Sequence, residues 1–485
     1  MGKSKQVIMC CIKFIKRFFC RVFKLTKLKL VVLCGIFFSG LAQAGAFSTL
    51  LEMAHNNEPT YLGAKATVKA AEARTDQAFG QLLPQVSANL NTKYNDRNYQ
   101  QRDDTDRPAK DQYNSHSTEV TLTQSIWKYP NIIGLRQAKS ATFQAEQQLA
   151  NTEQELLAKV VSGWLDFLGA RDQTLFTQQQ IMGSDYRLQV AQRGFDIGLI
   201  SKPELDDVRA KLEQAISEDI TADADLNLKR ASLEQIAGDV SKLKPVFMRG
   251  DAELFDLKTE SLEKVLNKVE LGNHNILAAL HAYEAANAEV KKQFAGHQPT
   301  LDLVASYGKN SQAVGGFPGQ PGYDITQGTI GLQLNIPIYA GGVQSAKVQE
   351  AVAQAEKARF DIEVAKRASI LSAKQAWYGW FSAHAKAIAA TQAIVSAKSA
   401  LLSAEVAVNS GLKTEVVVFE AQQQLSAAER DYSRSRYDQM AYHIKLKSMM
   451  GLLNNEDIVA LDALFIDDHW TLRLEKNESQ ARLSN

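Results

Sequence analysis

Beyond residue 34 the sequence has no cysteine, and beyond residue 337 it has no proline. All four cysteines (Cys10, Cys11, Cys20 and Cys34) lie near the N-terminus, so the rest of the chain holds neither a disulfide framework nor a thiolate metal site. The absence of proline leaves nothing after Pro337 that would force a helix to break. Catalytic signatures are missing too: no G-x-S-x-G, Walker A or H-E-x-x-H segment occurs. His274 and His281 lie two helical turns apart with no third ligand, so no metal, cofactor or catalytic residue is expected and the chain does not read as an enzyme. The glycine-rich Gly315-Gly316-Phe317-Pro318-Gly319 lies between strand-like segments and not ahead of a helix, which makes it an external loop and not a phosphate cradle.

Long hydrophobic runs are also scarce. The main one, Leu30 to Phe38, falls short of the roughly 20 residues of a membrane-spanning helix. It follows Lys3, Lys5, Lys13, Lys16, Arg17, Arg21, Lys24, Lys27 and Lys29, with no acid among them, and precedes Ala42-Gln43-Ala44. A basic region, a short apolar run and an A-x-A site predict a signal peptide over 1–44, with Met9 as an alternative start. A lipoprotein is disfavoured because Leu33, not a small residue, precedes Cys34. The leader carries nine of the 55 basic residues and none of the 54 acidic ones, so the remainder has a net charge of about −8, which argues against nucleic acid as a partner. With 45% hydrophobic and 22% charged residues the chain can bury a core, and its destination is the cell envelope.

What is present is a repeat. Gly198-Leu199-Ile200-Ser201 recurs as Gly411-Leu412-Lys413-Thr414, Trp164 as Trp377, and Gly238 as Gly451, each at an offset of 213. Gly80 and Gly296 are offset by 216, a slip that loops tolerate. The expected divisions are a first repeat over 45–250, a second over 251–460, and a C-terminal tail over 461–485. Each repeat predicts a helix (about 47–80 and 261–295), two alternating strands, a helix of some 65 residues and a shorter returning helix. The strands are centred on Val86–Tyr94, Val120–Ile126, Leu301–Tyr307 and Ile330–Ile336, with polar loops at 96–115 and 308–327. Some 65 residues give about 100 Å of helix, too long to bury within a compact domain.

Strand number then constrains the architecture. Alternating strands of about 9–11 residues suit a membrane barrel, yet the same pattern suits a half-buried soluble sheet. Four strands cannot close a barrel, and an open edge in lipid leaves backbone groups unsatisfied. If they span, several copies must pool them: three copies give twelve strands, whereas eight would leave too narrow a duct. Pro337, Gly341 and Gly342 would mark the rim at which strand passes to helix. A soluble periplasmic coiled-coil adaptor or scaffold is the alternative; it explains the helices but not four paired strands ending in Tyr94, Trp127, Tyr307 and Tyr339.

GHQPTLDL (296–303), NIPIYAGG (335–342), RGFDIGLISKPEL (193–205) and NSGLKTEVVVFEA (409–421), in order and in both halves, resemble the TolC family of outer-membrane efflux and secretion ducts. The resemblance covers about 47–460. It implies a mixed α and β fold: a homotrimer with a twelve-stranded transmembrane β-barrel, four strands per chain, continuous with a periplasmic α-helical coiled-coil barrel. It further implies a passive exit duct in the outer membrane, partnered by a periplasmic adaptor and an inner-membrane pump of ABC or RND type, for type I protein secretion or drug efflux.

The resemblance also implies a gate at the helix tips beyond the Gly198 and Gly411 turns. Carried over by position, Glu420 falls on one of two constricting acids and Val417 on the other, Lys413 on a locking arginine, Glu204 on a locking aspartate, Pro203 on a threonine and Val408 on a tyrosine. The expected gate is therefore a single Glu420 ring and a Lys413–Glu204 tie, with Asp207 matching Glu420 in the first repeat. Ser201-Lys202-Pro203-Glu204 also reads as a helix capping box, which would place Glu204 there whatever its function.

Overall fold

The computed structural model describes residues 46–101, 104–241, 246–248, 261–316, 320–413 and 416–467. The expected signal peptide, most of 239–260 and the tail after 467 lie outside the described residues. In chain order the elements are α1 (Ala46–Asn57), α2 (Pro59–Gly80), β1 (Gln85–Gln101), β2 (Asp104–Trp127), α3 (Tyr129–Asp196), α4 (Lys202–Ala237), β3 (Val246–Met248), α5 (Leu262–Gly272), α6 (His274–Phe294), β4 (Thr300–Val314), β5 (Pro321–Asn335), α7 (Val343–Asn409), α8 (Val416–Met449), α9 (Asn455–Asp462) and β6 (Phe465–Asp467).

The first helix of each half is interrupted, which the sequence reading did not expect. Pro59 lacks an amide to continue α1, and the Glu58 carboxylate accepts the Tyr61 N–H at 2.8 Å to start α2. In the second half Asn273 breaks the run, and its Oδ1 accepts the N–H groups of Asn275 and Ile276 at 3.1 and 3.3 Å. The two breaks dock alike: the side-chain amide of Asn57 donates to the Ala237 carbonyl at 2.9 Å, and that of Asn273 to the Met449 carbonyl at 2.8 Å.

The long helices meet their expected limits. α3 has 68 residues and α7 has 67, about 100 Å each at 1.5 Å per residue. Pro130 sits in the first turn of α3, where its missing N–H costs nothing. Each long helix forms an antiparallel hairpin with its successor, α3 with α4 and α7 with α8, and the hairpins join through α3 and α8.

The long strands form one antiparallel sheet in the order β1-β2-β4-β5. Most of the two polar segments expected as loops pairs as strand, so the sheet continues well past the apolar rows. The sequence there lacks hydrophobic alternation, yet the backbone still satisfies its hydrogen bonds by pairing. The register separates two faces. Val86, Leu122, Ala305 and Ile330 form one row, and Ala88, Val120, Tyr307 and Gly328 the next on the same face. Ser87, Thr121, Ser306 and Thr329 form a row on the opposite, polar face. Beyond Tyr307 the apolar face ends at the Lys309–Asp324 ion pair, 2.9 Å long. Among the described residues no helix covers the apolar face: Leu90 is 74% exposed and Ile330 76%.

Two hydrophobic cores sit midway along the helical part. The larger packs Phe47 and Leu50 of α1 against Trp164, Leu168, Leu233, Met440 and Ile444, and α9 and Phe465 close it. Asp462, at the end of α9, accepts the Phe47 N–H at 2.9 Å and the Ser48 N–H at 3.1 Å, capping α1 from far along the chain. Leu461 and Phe465, at the start of the C-terminal segment, are core residues, and β6 pairs with β3. The smaller core gathers Val265, Val269, Ala373, Ala376, Trp377, Trp380 and Leu446. Trp377 and Leu446 stand 213 residues after Trp164 and Leu233, so the repeat seen in the sequence recurs in what these side chains pack against.

Helix order follows strand order. Next to the sheet the helices pack as α2-α3-α6-α7, and farther away as α4-α3-α8-α7. β1, α2 and α4 thus lie along one side, and β5 and α7 along the other.

Candidate functional site

Both hairpin tips turn through a glycine in the left-handed region, Gly198 at φ 78° and Gly411 at φ 68°. The amide of Leu199 reaches back to the Gly194 carbonyl at 2.7 Å and that of Leu412 to the Ala407 carbonyl at 2.9 Å, closing each helix in the same way. Leu199 and Leu412 stand 76% and 80% exposed at the two tips.

The gate residues named from sequence are placed as follows. The Glu204 carboxylate turns back to accept the backbone N–H of Ser201 at 2.8 Å and its hydroxyl at 3.1 Å. That backbone bond, more than the hydroxyl, holds its pKa below the usual carboxylate range. Lys413 makes no ion pair with it, so the expected Lys413–Glu204 tie is not formed within the protomer. A capping bond three residues away orders little extra chain, whereas a tie between exposed tips must overcome solvation of both charges. Asp207 pairs with Lys211 along its own helix at 2.8 Å. Val417 lies half-buried in the first turn of α8, and Thr414 lies outside the described residues.

Glu420 has a partner that the sequence did not disclose. Arg187 of α3 approaches it at 3.7 Å and also donates to the Gln423 side chain at 3.2 Å. Tyr186 packs its ring 4.5 Å from that of Phe419. Gly183 permits this approach, since a Cβ there would come within 3.2 Å of the Gln423 amide. Farther from the tips the α3–α8 seam stays polar: Ser426 donates to Gln179 at 2.5 Å, Arg430 to Gln173 at 3.4 Å, and Arg434 to Asp166 at 3.2 Å. Its most buried contact is Tyr437, whose hydroxyl donates to Asp172 at 3.0 Å while Arg171 bonds the same carboxyl at 2.9 Å. Burial raises the pKa of both Asp172 and Tyr437.

At the other end of the long helices, β5 stops at Asn335, Pro337 follows, and Gly341 (φ 61°) and Gly342 (φ 81°) turn the chain into α7. Gly342 is the N-cap residue in a left-handed conformation that a side chain would strain. The histidines serve locally. His274 bonds Gln147 at 2.8 Å and His281 bonds Glu284 at 2.9 Å, and no cluster of three metal-ligating side chains occurs among the described residues.

The profile of the outer membrane efflux protein family matches residues 50–239 and 265–452, the greater part of the chain. The chain belongs to that family. Outer membrane protein TolC of Vibrio cholerae is 26% identical over 429 residues, 88% of this chain and 95% of that protein. Proteases secretion protein PrtF of Dickeya chrysanthemi is 24% identical, covering 88% of this chain and 92% of PrtF. Among solved structures, the Campylobacter jejuni CmeC outer membrane channel superposes with a TM-score of 0.72 at 14% identity, over 90% of this chain and 93% of CmeC. CusC superposes with a TM-score of 0.69 at 16% identity, over 87% and 95%. This efflux protein thus resides in the outer membrane as an exit duct. Arg187 escaped sequence reasoning because it lies 233 residues from Glu420 in a helix rich in polar side chains. Only the meeting of α3 with α8 singles it out.

Proposed function

We propose that three copies of this chain close into a passive duct, with a twelve-stranded outer-membrane barrel above and a periplasmic helical tunnel below. The observation that carries this reading is that the protomer is unfinished along the same two sides throughout. Among the described residues β1 and β5 have no second strand to pair with, and α7 presents two exposed runs spaced by seven residues, Val364, Leu371 and Tyr378, then Ile388, Val395 and Leu402. Heptad spacing of this kind seeks another helix. β1 and β5 run in opposite senses, so β5 of one copy can meet β1 of the next and keep the sheet antiparallel all round. The apolar face then meets lipid and the polar face lines the pore, leaving no edge in the membrane. We take 45–250 and 251–460 as the two repeats that build it.

The tips would form the closed end, with Glu420 in the constriction, Val417 one turn nearer the tip, Asp207 as its first-repeat counterpart, and Arg187 as the counter-charge of Glu420. Exposed Leu199 and Leu412 offer a periplasmic adaptor its first apolar contacts, and an inner-membrane pump of ABC or RND type would supply cargo and energy. The name of the relative PrtF, a proteases secretion protein, supports export of proteins, and the description of the outer membrane efflux protein family supports efflux. The test is the native mass and bilayer conductance of the detergent-extracted full chain. A trimer that conducts is expected; a stable monomer that passes no ions overturns the reading.

A further inference from the structure

We propose that a groove between α3 and α6, just below the sheet, binds the phosphate of an anionic phospholipid in the periplasmic leaflet of the outer membrane. It rests on the reading that the sheet crosses that membrane. The groove has a volume of about 310 Å³ and is lined by Ile133, Arg136 and Ser140 of α3 and by Glu284, Asn287 and Lys291 of α6. Arg136 and Lys291 make no ion pair among the described residues. The only acid, Glu284, is held by the His281 ring at 2.9 Å. Two unspent cations beside the Ser140 hydroxyl and the Asn287 amide form a donor set suited to a phosphodiester.

Its position follows from helix geometry. A second cavity, at the joint between sheet and helices, is lined by Gln85, Thr123, Ser125 and Asp302, all on the polar face of the sheet, and by Asn131 of α3. Asn131 therefore faces the side of the pore. At about 100° per residue, Ile133, Arg136 and Ser140 lie about 200°, 140° and 180° round the helix from it, on the outer side. α3 and α6 are the middle helices of α2-α3-α6-α7, so copies joining at the two sides leave the groove uncovered. Arg136 stands about 10 Å below the start of α3, where Trp127 and Tyr129 stack at 6.1 Å in the position of an interfacial aromatic belt. A cation one or two turns beyond such a belt meets the headgroup phosphates.

Each basic residue near an anionic surface strengthens binding about fivefold, so removing both should weaken it about 25-fold. The test titrates the full chain in neutral detergent with dioleoyl-phosphatidylglycerol or dioleoyl-phosphatidylcholine and counts retained lipid by native mass spectrometry. Expected is preferential retention of phosphatidylglycerol, lost in Arg136→Gln/Lys291→Gln, kept in Lys291→Arg, and kept when the distant exposed Lys264 and Lys386 become glutamine. Equal retention of both lipids, or no loss in the double variant, or equal loss in the distant control, overturns the proposal. Displacement of the lipid by millimolar inorganic phosphate would assign the groove to free phosphate and also overturn it. Failure of the wild-type chain to insert into vesicles would instead count against the membrane reading itself.

Discussion

Arg187 and Glu420 carry opposite charges 3.7 Å apart, with side chains 23% and 55% exposed, at the end of the molecule that would narrow the duct. Pairs of this exposure contribute about 0–1 kcal/mol, so the tie does little for stability and can part when the tips move. Its effect is on ions, because three such pairs would leave the constriction close to neutral. Arg187→Gln should therefore raise cation selectivity several-fold, Glu420→Gln should shift it toward anions, and the double variant should return near wild type, all read from reversal potentials across a salt gradient. If Glu420→Gln changes nothing, that carboxylate is not in the constriction; if only Arg187→Gln is silent, the counter-charge assignment fails. A second residue-scale expectation concerns His55 and His274. Burial lowers both pKa values below the ordinary 6.5. The unfolded chain then binds more protons than the folded one near and just below that pH, so stability should fall as pH drops through 6.5. Thermal unfolding should show this slope, and His55→Gln/His274→Gln should flatten it. At this scale the sequence disclosed positions but not partnerships. Glu204 was legible as a capping residue because its partner is three residues away, while the Arg187 contact depends on two helices meeting far along the chain.

At the scale of elements, long uninterrupted helices were legible because α7 and α8 contain no proline and α3 carries Pro130 only in its first turn, and their ends followed from Gly198 and Gly411. The break at Asn57–Pro59 carried a proline signal that a continuous alanine-rich pattern obscured, and Asn273 was less legible still, since asparagine breaks a helix only when its caps find partners. The polar extensions of the sheet gave no hydrophobic alternation to read. The tip turns invite a direct test. No heavy atom lies within 4 Å of a Cβ built at Gly198 or Gly411, so alanine there is opposed by backbone strain alone. Gly411→Ala should cost about 1–2 kcal/mol locally, with the same for Gly198→Ala. Limited proteolysis should cut the tips faster in both variants while the sheet end keeps its protection; equal cutting rates would show that the turns relax to another conformation. Trp164→Ala, in the larger core, should cost about 3–5 kcal/mol by contrast, and would be seen as loss of the folded species on denaturant titration.

At the scale of the whole molecule, the proposed closure between copies is the step that would complete the wall, and the lack of cysteine after residue 34 makes it accessible to site-directed crosslinking. Asn89 on β1 and Gln327 on β5 share one cross-strand row on the polar face, with Glu119 and Gly308 between them. Three strand spacings separate them within a protomer, about 14 Å at 4.8 Å each, beyond the reach of a short bis-maleimide. Between copies the same two strands would be neighbours. Closing a tilted barrel staggers neighbouring strands, so Asn89→Cys combined in turn with a cysteine at successive polar-face positions of β5 should, at the position brought level with it, yield a ladder of one, two and three chains that ends at three, and neither single variant should yield any ladder. A ladder ending at two chains would leave eight strands, too few for a wide duct. One continuing past three would mean an open, unsealed array, and either outcome would refute the trimer. Replacing Leu332 on the apolar face with arginine offers an independent check: lipid contact near the midplane predicts a loss of about 2–4 kcal/mol, whereas a solvent-facing position predicts almost none. Together the two measurements separate how many copies close the wall from which of its faces meets the membrane.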